Sequence, residues 1–367
     1  MKLRCERDVL VDALGTAGRA VAGRGGALPV LSGVRLEMTG DHLRVTGTDL
    51  DLTITVETTV SGGSDGVVVA PGRLVTDIVR ALEPGAVALD AGDDELRITS
   101  GRSQFTVRTH PAGDFPRIPS ASGEAVTLPG AGLADALRQV TRAASGEDAR
   151  PILTGVLVAA EEGGLRLVAT DSYRLAVRDL SGVGVLSEGQ RVLVPSRALN
   201  ELQRLLGGAA DVELRLGTHD ATFSVGEVTL TTRLIEGEFP NYRGLIPSGY
   251  PNRLEVGREA LIDAVRRVKL LASDATTPVR MALQPGGIQL TVITTDWGNA
   301  TEDVDAKYEG AEMTVAFNPQ YLIDGAEAIG TEELELETLD SLKPVTLRPK
   351  GPNDERDEYL YLLMPVR

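Results

Sequence analysis

Apolar residues fall at helical spacing in three short segments: Leu74, Ile78 and Leu82; Leu199, Leu202 and Leu206; Leu322, Ala326 and Ile329. Each segment is entered through a proline that closes an apolar run, as VAPGRLVTDIVRAL at Pro71, LVPSRALNELQRLL at Pro195 and AFNPQYLIDGAEAI at Pro319. Proline suits a first helical turn because the N–H it lacks would have had no intrahelical acceptor. Both intervals between these prolines are 124 residues. The pattern therefore predicts one folding unit made three times, with these apolar faces turned toward the core.

More of the chain obeys the same interval. A second helical pattern opens each copy: DVLVDALGTAGRAV, AGLADALRQVTRAAS and REALIDAVRRVKLLAS. In the middle one Leu133, Ala136, Leu137 and Val140 share a stripe that excludes Arg138 and Arg142. Alternating segments then pair across glycine turns: VRLEM with LRVTGTD at Gly40, GVLVAA with LRLVATD at Gly163–Gly164, and VRMALQ with IQLTVITTD at Gly286–Gly287. Every second hairpin strand ends in Thr-Asp, at Thr48-Asp49, Thr170-Asp171 and Thr295-Asp296. Phe115-Pro116 and Phe239-Pro240 close the first two copies, and the Pro, Ser and Gly of PRIPSASGEA and LIPSGYPN separate them. The prediction is an α+β chain of three tandem domains, 1–120, 121–250 and 251–367. Each has two helices on one side of an antiparallel sheet of about eight short strands.

Composition narrows the chemistry. The 367 residues are 42% hydrophobic, with no apolar stretch near the roughly 18 residues of a membrane helix. MKLRCERDVL has no apolar run behind its charges, so the sequence predicts a cytoplasmic, soluble protein. Cys5 is the only cysteine, and between Lys2 and Asp8 it reads as a small apolar residue of a first strand. His42, His110 and His219 lack metal-ligand spacing, and no phosphate loop, dinucleotide fingerprint or Ser/His/Asp arrangement appears; the sequence predicts no cofactor, no metal and no catalytic residue. The net charge of −16 argues against a protein that coats nucleic acid through bulk charge.

Positive charge is nevertheless arranged. Arg73, Asp77 and Arg80 share a helix face that Arg197, Glu201 and Arg204 repeat, and Arg138, Arg142, Arg266 and Arg267 stand on the opening helices. Repeated placement in an acidic chain implies one surface reserved for a polyanion. The Thr-Asp acids, Asp49 and Asp51 included, read as turn-forming groups, since Asp bonds nearby backbone N–H groups readily. Two stretches break the repeat: ATDSYRLAV in copy two and the terminal YLYLLMPVR, whose Met and Pro suit the rim of an adaptable apolar groove.

The three copies, ATDSYRLA, GEFPNY at Glu238–Tyr242, GAEMTVAFNPQYLIDGAEAI from Gly310 and the MPVR ending together resemble the bacterial sliding clamp, the beta subunit of DNA polymerase III, over the whole length. That resemblance implies a head-to-tail homodimer of clamp domains closing a ring around duplex DNA. It further implies loading by an ATP-dependent clamp loader and tethering of polymerases and repair proteins through short linear peptides. It places the peptide pocket at Leu153, Thr170, Ser172, Tyr173, Arg174, Leu175, Pro240, Leu245, Asn318, Leu342, Pro344, Leu362, Met364, Pro365, Val366 and Arg367. DNA-facing residues are Arg24, Arg73, Arg80, Arg138, Arg142, Arg150, Arg197, Arg204, Arg266 and Arg267. The dimer contact joins Arg102, Phe105 and Val107 to Leu270, Leu271 and Glu302. The function this implies is that of a non-catalytic processivity factor for DNA replication. Two alternatives stand beside it: a clamp paralogue serving repair or drug tolerance, and a metal-dependent phosphodiesterase using Asp49 and Asp51. Trp297, the only tryptophan, follows the third Thr-Asp in an otherwise polar stretch.

Overall fold

A computed structural model describes the chain apart from residues 24–27, 119–120, 162–163, 183–188, 209–210, 248, 273–275, 352–357 and 367. Arg24, Gly163 and Arg367 therefore lie outside the described residues.

The first copy opens with β1 (Lys2–Glu6), α1 (Arg7–Ala17), β2 (Gly33–Thr39), β3 (His42–Thr48) and β4 (Leu52–Thr59). It continues through β5 (Ser61–Ser64), β6 (Gly66–Pro71), α2 (Gly72–Ala81), β7 (Ala86–Ala91), β8 (Glu95–Ser100) and β9 (Ser103–Arg108). The second runs β10 (Ala125–Pro129), α3 (Gly130–Val140), β11 (Gly155–Glu161), β12 (Gly164–Thr170) and β13 (Arg174–Ser181). It is completed by β14 (Arg191–Pro195), α4 (Ser196–Leu205), β15 (Asp211–Leu216), β16 (Asp220–Val225) and β17 (Val228–Arg233). The third has β18 (Asn252–Gly257), α5 (Arg258–Lys269), β19 (Val279–Gln284), β20 (Gly287–Thr294) and β21 (Gly298–Glu309). It ends with β22 (Met313–Phe317), α6 (Pro319–Ala328), β23 (Glu333–Thr338), β24 (Val345–Lys350) and β25 (Tyr359–Leu363).

All pairing is antiparallel, and the predicted hairpins form as β2–β3, β11–β12 and β19–β20. Gly40 takes a φ of 59° at the first of these turns, a conformation glycine adopts without a Cβ penalty. Helices lie close on their sheets where the sequence has no side chain to interpose. A Cβ on Gly47 would meet the Ala17 carbonyl oxygen at 2.1 Å, and one on Gly325 would meet the Tyr361 ring at 2.5 Å. Cys5 is buried in β1, as its place in the alternation predicts, and burial pushes its thiol up to about 11.

The compact units of the chain do not coincide with the copies. One compact unit comprises Met1–Ala131 with Glu201–Leu234 and holds two sheets, β5-β1-β7-β8-β9 and β10-β15-β16-β17-β4-β3-β2-β6. The other comprises Gly132–Asn200 with Ile235–Arg367 and holds β14-β11-β12-β13-β25-β24-β23-β18-β21-β20-β19-β22. The middle copy is divided between them because sheets run from copy to copy. The strand after the Thr-Asp turn pairs with the last strand of the following copy: β4 with β17, from Leu52↔Thr232 to Val56↔Val228, and β13 with β25, from Arg174↔Leu363 to Arg178↔Tyr359.

The inward faces of α4 and α6 are as predicted, with Leu199, Leu202, Leu206, Leu322, Ala326 and Ile329 buried. In α2 the helix is rotated from the predicted face. Val75, Val79 and Leu82 are buried, Ile78 is half-buried and Leu74 is exposed. Both triads satisfy a helical period, so periodicity alone does not choose between them.

Candidate functional site

The Thr-Asp dipeptides of copies one and two build the same tight turn. Thr48 Oγ1 donates to the Leu52 carbonyl at 3.2 Å and accepts from Leu50 N–H, while Asp49 Oδ1 accepts from the N–H groups of Asp51 and Leu52. Thr170 repeats this toward Arg174 and Ser172, and Asp171 toward Tyr173 and Arg174. The third residue of each turn has positive φ, 83° at Leu50 and 80° at Ser172. These acids are structural, and their carboxylates are engaged in the backbone. Copy three departs: Thr294, not Thr295, donates to a carbonyl four residues on, that of Gly298, at 3.1 Å, in a loop one residue shorter.

In the second unit the turn after β12 carries an apolar surface. The Tyr173 carbonyl accepts from Met364 N–H at 2.9 Å, which brings the chain leaving β25 against the turn. Leu175, Leu362 and Tyr242 are buried in one cluster, onto which Phe239, Ile246 and Met364 pack. Val345 pairs with Leu363, so the segment with Leu342 and Pro344 enters beside the departing tail, and Val366 N–H is tied to the Ala316 carbonyl. Tyr173 (58% exposed), Leu245, Leu342 (62% exposed) and Val366, from the segments that meet here, are exposed. Pro240 is exposed and Pro365 half-buried nearby in sequence, whereas Leu153 and Thr170 are buried. Asn318 caps α6 by accepting from Gln320 and Tyr321 N–H.

Beneath the turn, Arg174 is a support for the site and is itself almost covered. Its guanidinium bonds Asp171 Oδ2 at 2.9 Å and Asp324, and lies 4.2 Å over the Tyr321 ring. Tyr321 in turn stands 6.5 Å from Tyr173, centre to centre. Sequence reasoning missed Tyr321 and Asp324; their spacing on α6, three residues apart and therefore on one face, was the available signal. Arg150 reaches the Ser172 hydroxyl at 3.1 Å, so it braces this turn. The surface can accept an extended segment by burying one or two apolar side chains, each contributing about 1.5 to 3 kcal/mol.

Sequence models of the DNA polymerase III beta subunit match nearly all of the chain: its N-terminal domain at residues 1–119, its central domain at 127–241 and its C-terminal domain at 243–367. The chain belongs to this family, the bacterial sliding clamps. The beta sliding clamp of Streptomyces coelicolor is 34% identical over 100% of this chain and 99% of its own length, and that of Proteus mirabilis 32% over 100% of both. Among solved structures, the beta sliding clamp of C. crescentus aligns with a TM-score of 0.91 at 32% identity, covering 100% of this chain and 99% of its own. A DnaN sliding clamp from Pseudomonas aeruginosa bound to griselimycin aligns at 0.90 and 29%, with the same coverage. The function is that of a DNA sliding clamp in replication, built as three tandem clamp domains with helices on antiparallel sheets. No helix among the described residues is long and apolar enough to cross a membrane.

The clamp arginines singled out in the sequence carry a common restraint. Five sit three residues after an acid that pairs with them: Arg80 with Asp77, Arg138 with Asp135, Arg150 with Glu147, Arg204 with Glu201 and Arg266 with Asp263. Arg142 and Arg266 converge on Glu327 of α6 at 2.5 and 2.7 Å, and the Arg142 and Arg266 hydrogen bonds hold its carboxyl below the usual range. Arg138 also donates to the Glu327 carbonyl, where a cation complements the helix end. Arg267 is bound to Glu302 at 2.6 Å, and Arg73 and Arg197 are exposed.

Proposed function

We propose that the chain acts as a head-to-tail homodimer of three-domain protomers, 1–120, 121–250 and 251–367, that closes a ring around duplex DNA. The reading is of a cytoplasmic, non-catalytic processivity factor, loaded by an ATP-dependent clamp loader. It tethers polymerases and repair proteins through the Tyr173–Met364 surface, two per ring. One observation carries it. Among the described residues β4 is covered by β17 and β13 by β25, whereas β9 is one of the strands at a sheet edge and the 298–305 edge of β21 pairs only with β20. Unpaired edges invite strand addition, and two unlike edges on one chain give two identical contacts in a two-fold pair.

The covered pairs also supply the register. Gly298 corresponds to Leu52 through the Thr Oγ1 bond, and Arg108 opposite Glu95 corresponds to Arg233 opposite Asp220. Phe105 then faces Ala300 of the second copy, Gln104 faces Thr301 and Ser103 faces Glu302. Arg102 adjoins Glu302, which already holds Arg267. The partly neutralised arginines favour weak, sequence-independent contact with phosphate, so that retention is topological.

The test is a Gln104→Cys, Thr301→Cys variant under mild oxidation. Cys5 is too buried to compete. Cross-linking of two chains into a circularly closed dimer, which then stays on nicked circular DNA in salt and runs off linear DNA, is the expected result. A monomer at micromolar concentration, or equal retention on both DNAs, would overturn the reading.

A further inference from the structure

The chain's one tryptophan is 69% exposed, and Ile293 (62%) and Leu270 (85%) are also exposed in copy three. Repeat equivalence says what covers them. The Thr Oγ1 bond to a carbonyl four residues on recurs from Thr48 to Leu52, Thr170 to Arg174 and Thr294 to Gly298. The residue just before each acceptor is Asp51, Tyr173 and Trp297. In the first two copies this residue's carbonyl accepts a backbone N–H from the chain end of the next copy, Arg233 to Asp51 and Met364 to Tyr173, both at 2.9 Å. Among the described residues no such donor meets the Trp297 carbonyl.

The donor's counterpart is present at the other end of the chain. Thr109 N–H bonds the Asp94 carbonyl as Leu234 N–H bonds that of His219, each at 2.9 Å, which makes Arg108 of β9 the equivalent of Arg233. The helices give an independent indication. Seven residues after a shared Asp (Asp12, Asp135, Asp263), Arg19 pairs with Glu201 of α4 and Arg142 with Glu327 of α6. At that place copy three has Leu270. At the place of Glu201 the second helix of copy one, α2, carries the exposed Asp77. The charged bridges that join copy one to copy two and copy two to copy three thus have no counterpart from Leu270, which offers an exposed apolar side chain instead.

We infer that Trp297 is an anchor of the contact between two copies of this chain, seated at the Arg108 end of β9 of the second copy, with Leu270 covered in the same contact. The inference rests on the ring reading and adds to it a residue that the strand edges alone do not require. Trp297 crowns the junction as Tyr173 crowns the apolar surface in copy two, and desolvating it on association gives an energetic centre to an interface otherwise made of strand hydrogen bonds.

Because Trp297 is the sole tryptophan, its emission reports this site alone. Dilution of the wild-type chain across the association range should move the emission to longer wavelength and raise acrylamide quenching in step with dissociation measured by sedimentation. Trp297→Ala should raise the dimer Kd by about tenfold or more, with Trp297→Phe recovering part of it. A dimer that forms with unchanged Trp297 emission, and Trp297→Ala chains that associate like wild type, would overturn the inference while leaving the ring intact. A chain that stays monomeric throughout would overturn the ring reading and this inference together.

Discussion

At the scale of single residues, the site depends on groups that never touch solvent fully. Arg174 holds Asp171 and Asp324 in a nearly dry setting, with side-chain exposures of 11%, 9% and 16%. Removing one member of such a set leaves charge uncompensated, so Arg174→Ala should cost about 3 to 5 kcal/mol in urea unfolding, whereas an exposed arginine such as Arg80 should cost under about 1 kcal/mol. Glu327 gives a pH signature. Its carboxyl is held below the ordinary 4.5 by hydrogen bonds from Arg142 and then Arg266. A depressed folded value means the stabilisation is present above the unfolded value and is lost as pH falls through the folded one. Glu327→Gln should therefore melt below wild type at pH 7, and the gap should close as pH drops below about 4.5; a constant gap would remove Glu327 from the tether. The Thr-Asp turn was legible from the sequence because Asp has a strong local chemistry. Its third occurrence was not, because the strands pair one residue sooner there, Thr294 opposite Gly298 against Thr48 opposite Thr53, and the preceding threonine takes the role.

At the scale of elements, the helices and hairpins followed from periodicity, but two things did not. Leu74/Ile78/Leu82 and Val75/Val79/Leu82 both fit a helical face, and only the neighbouring surface chooses between them. Alternation likewise assigns the faces of a strand and is silent about which edges meet, so the sharing of sheets between copies was invisible. Close helix–sheet contact offers a direct check. A Cβ on Gly325 would lie 2.5 Å from a fully buried Tyr361 ring that has no room to retreat. Gly325→Ala should destabilise by about 1 to 3 kcal/mol, read as a lowered denaturant midpoint at unchanged slope. The tail after β25 is an element of the apolar surface, since Met364 packs on its cluster and Val366 is pinned to Ala316. Deleting Met364–Arg367 should abolish binding of a leucine-rich polymerase-tail peptide in fluorescence anisotropy while dimerisation persists; undiminished binding would mean that the surface lies elsewhere. The exposed residues assigned to that surface, Tyr173, Leu245, Leu342 and Val366, were drawn from family resemblance, because they come from segments that composition alone does not connect.

For the whole molecule, the acidic total and the internally paired arginines point the same way. Binding to short linear duplex should be feeble and should fall steeply with salt, without preference among sequences. A further consequence follows from the residues along β9 and the 298–305 edge of β21. The 298–305 edge carries Glu302, Asp303 and Asp305, whereas β9 is flanked by Arg102 and ends in Arg108. Two copies meeting acid edge to acid edge would crowd like charges along an antiparallel ladder, and two β9 edges would oppose their arginines. In the proposed ring the unlike pairing escapes this penalty, so the charges would favour head-to-tail assembly over the mirror arrangements that bare edges otherwise permit. Reversing the sign at Glu302 and Asp303 to lysine should turn a single dimer peak into monomer at low salt, and adding Arg102→Glu and Arg108→Glu to the same chain should bring the dimer back.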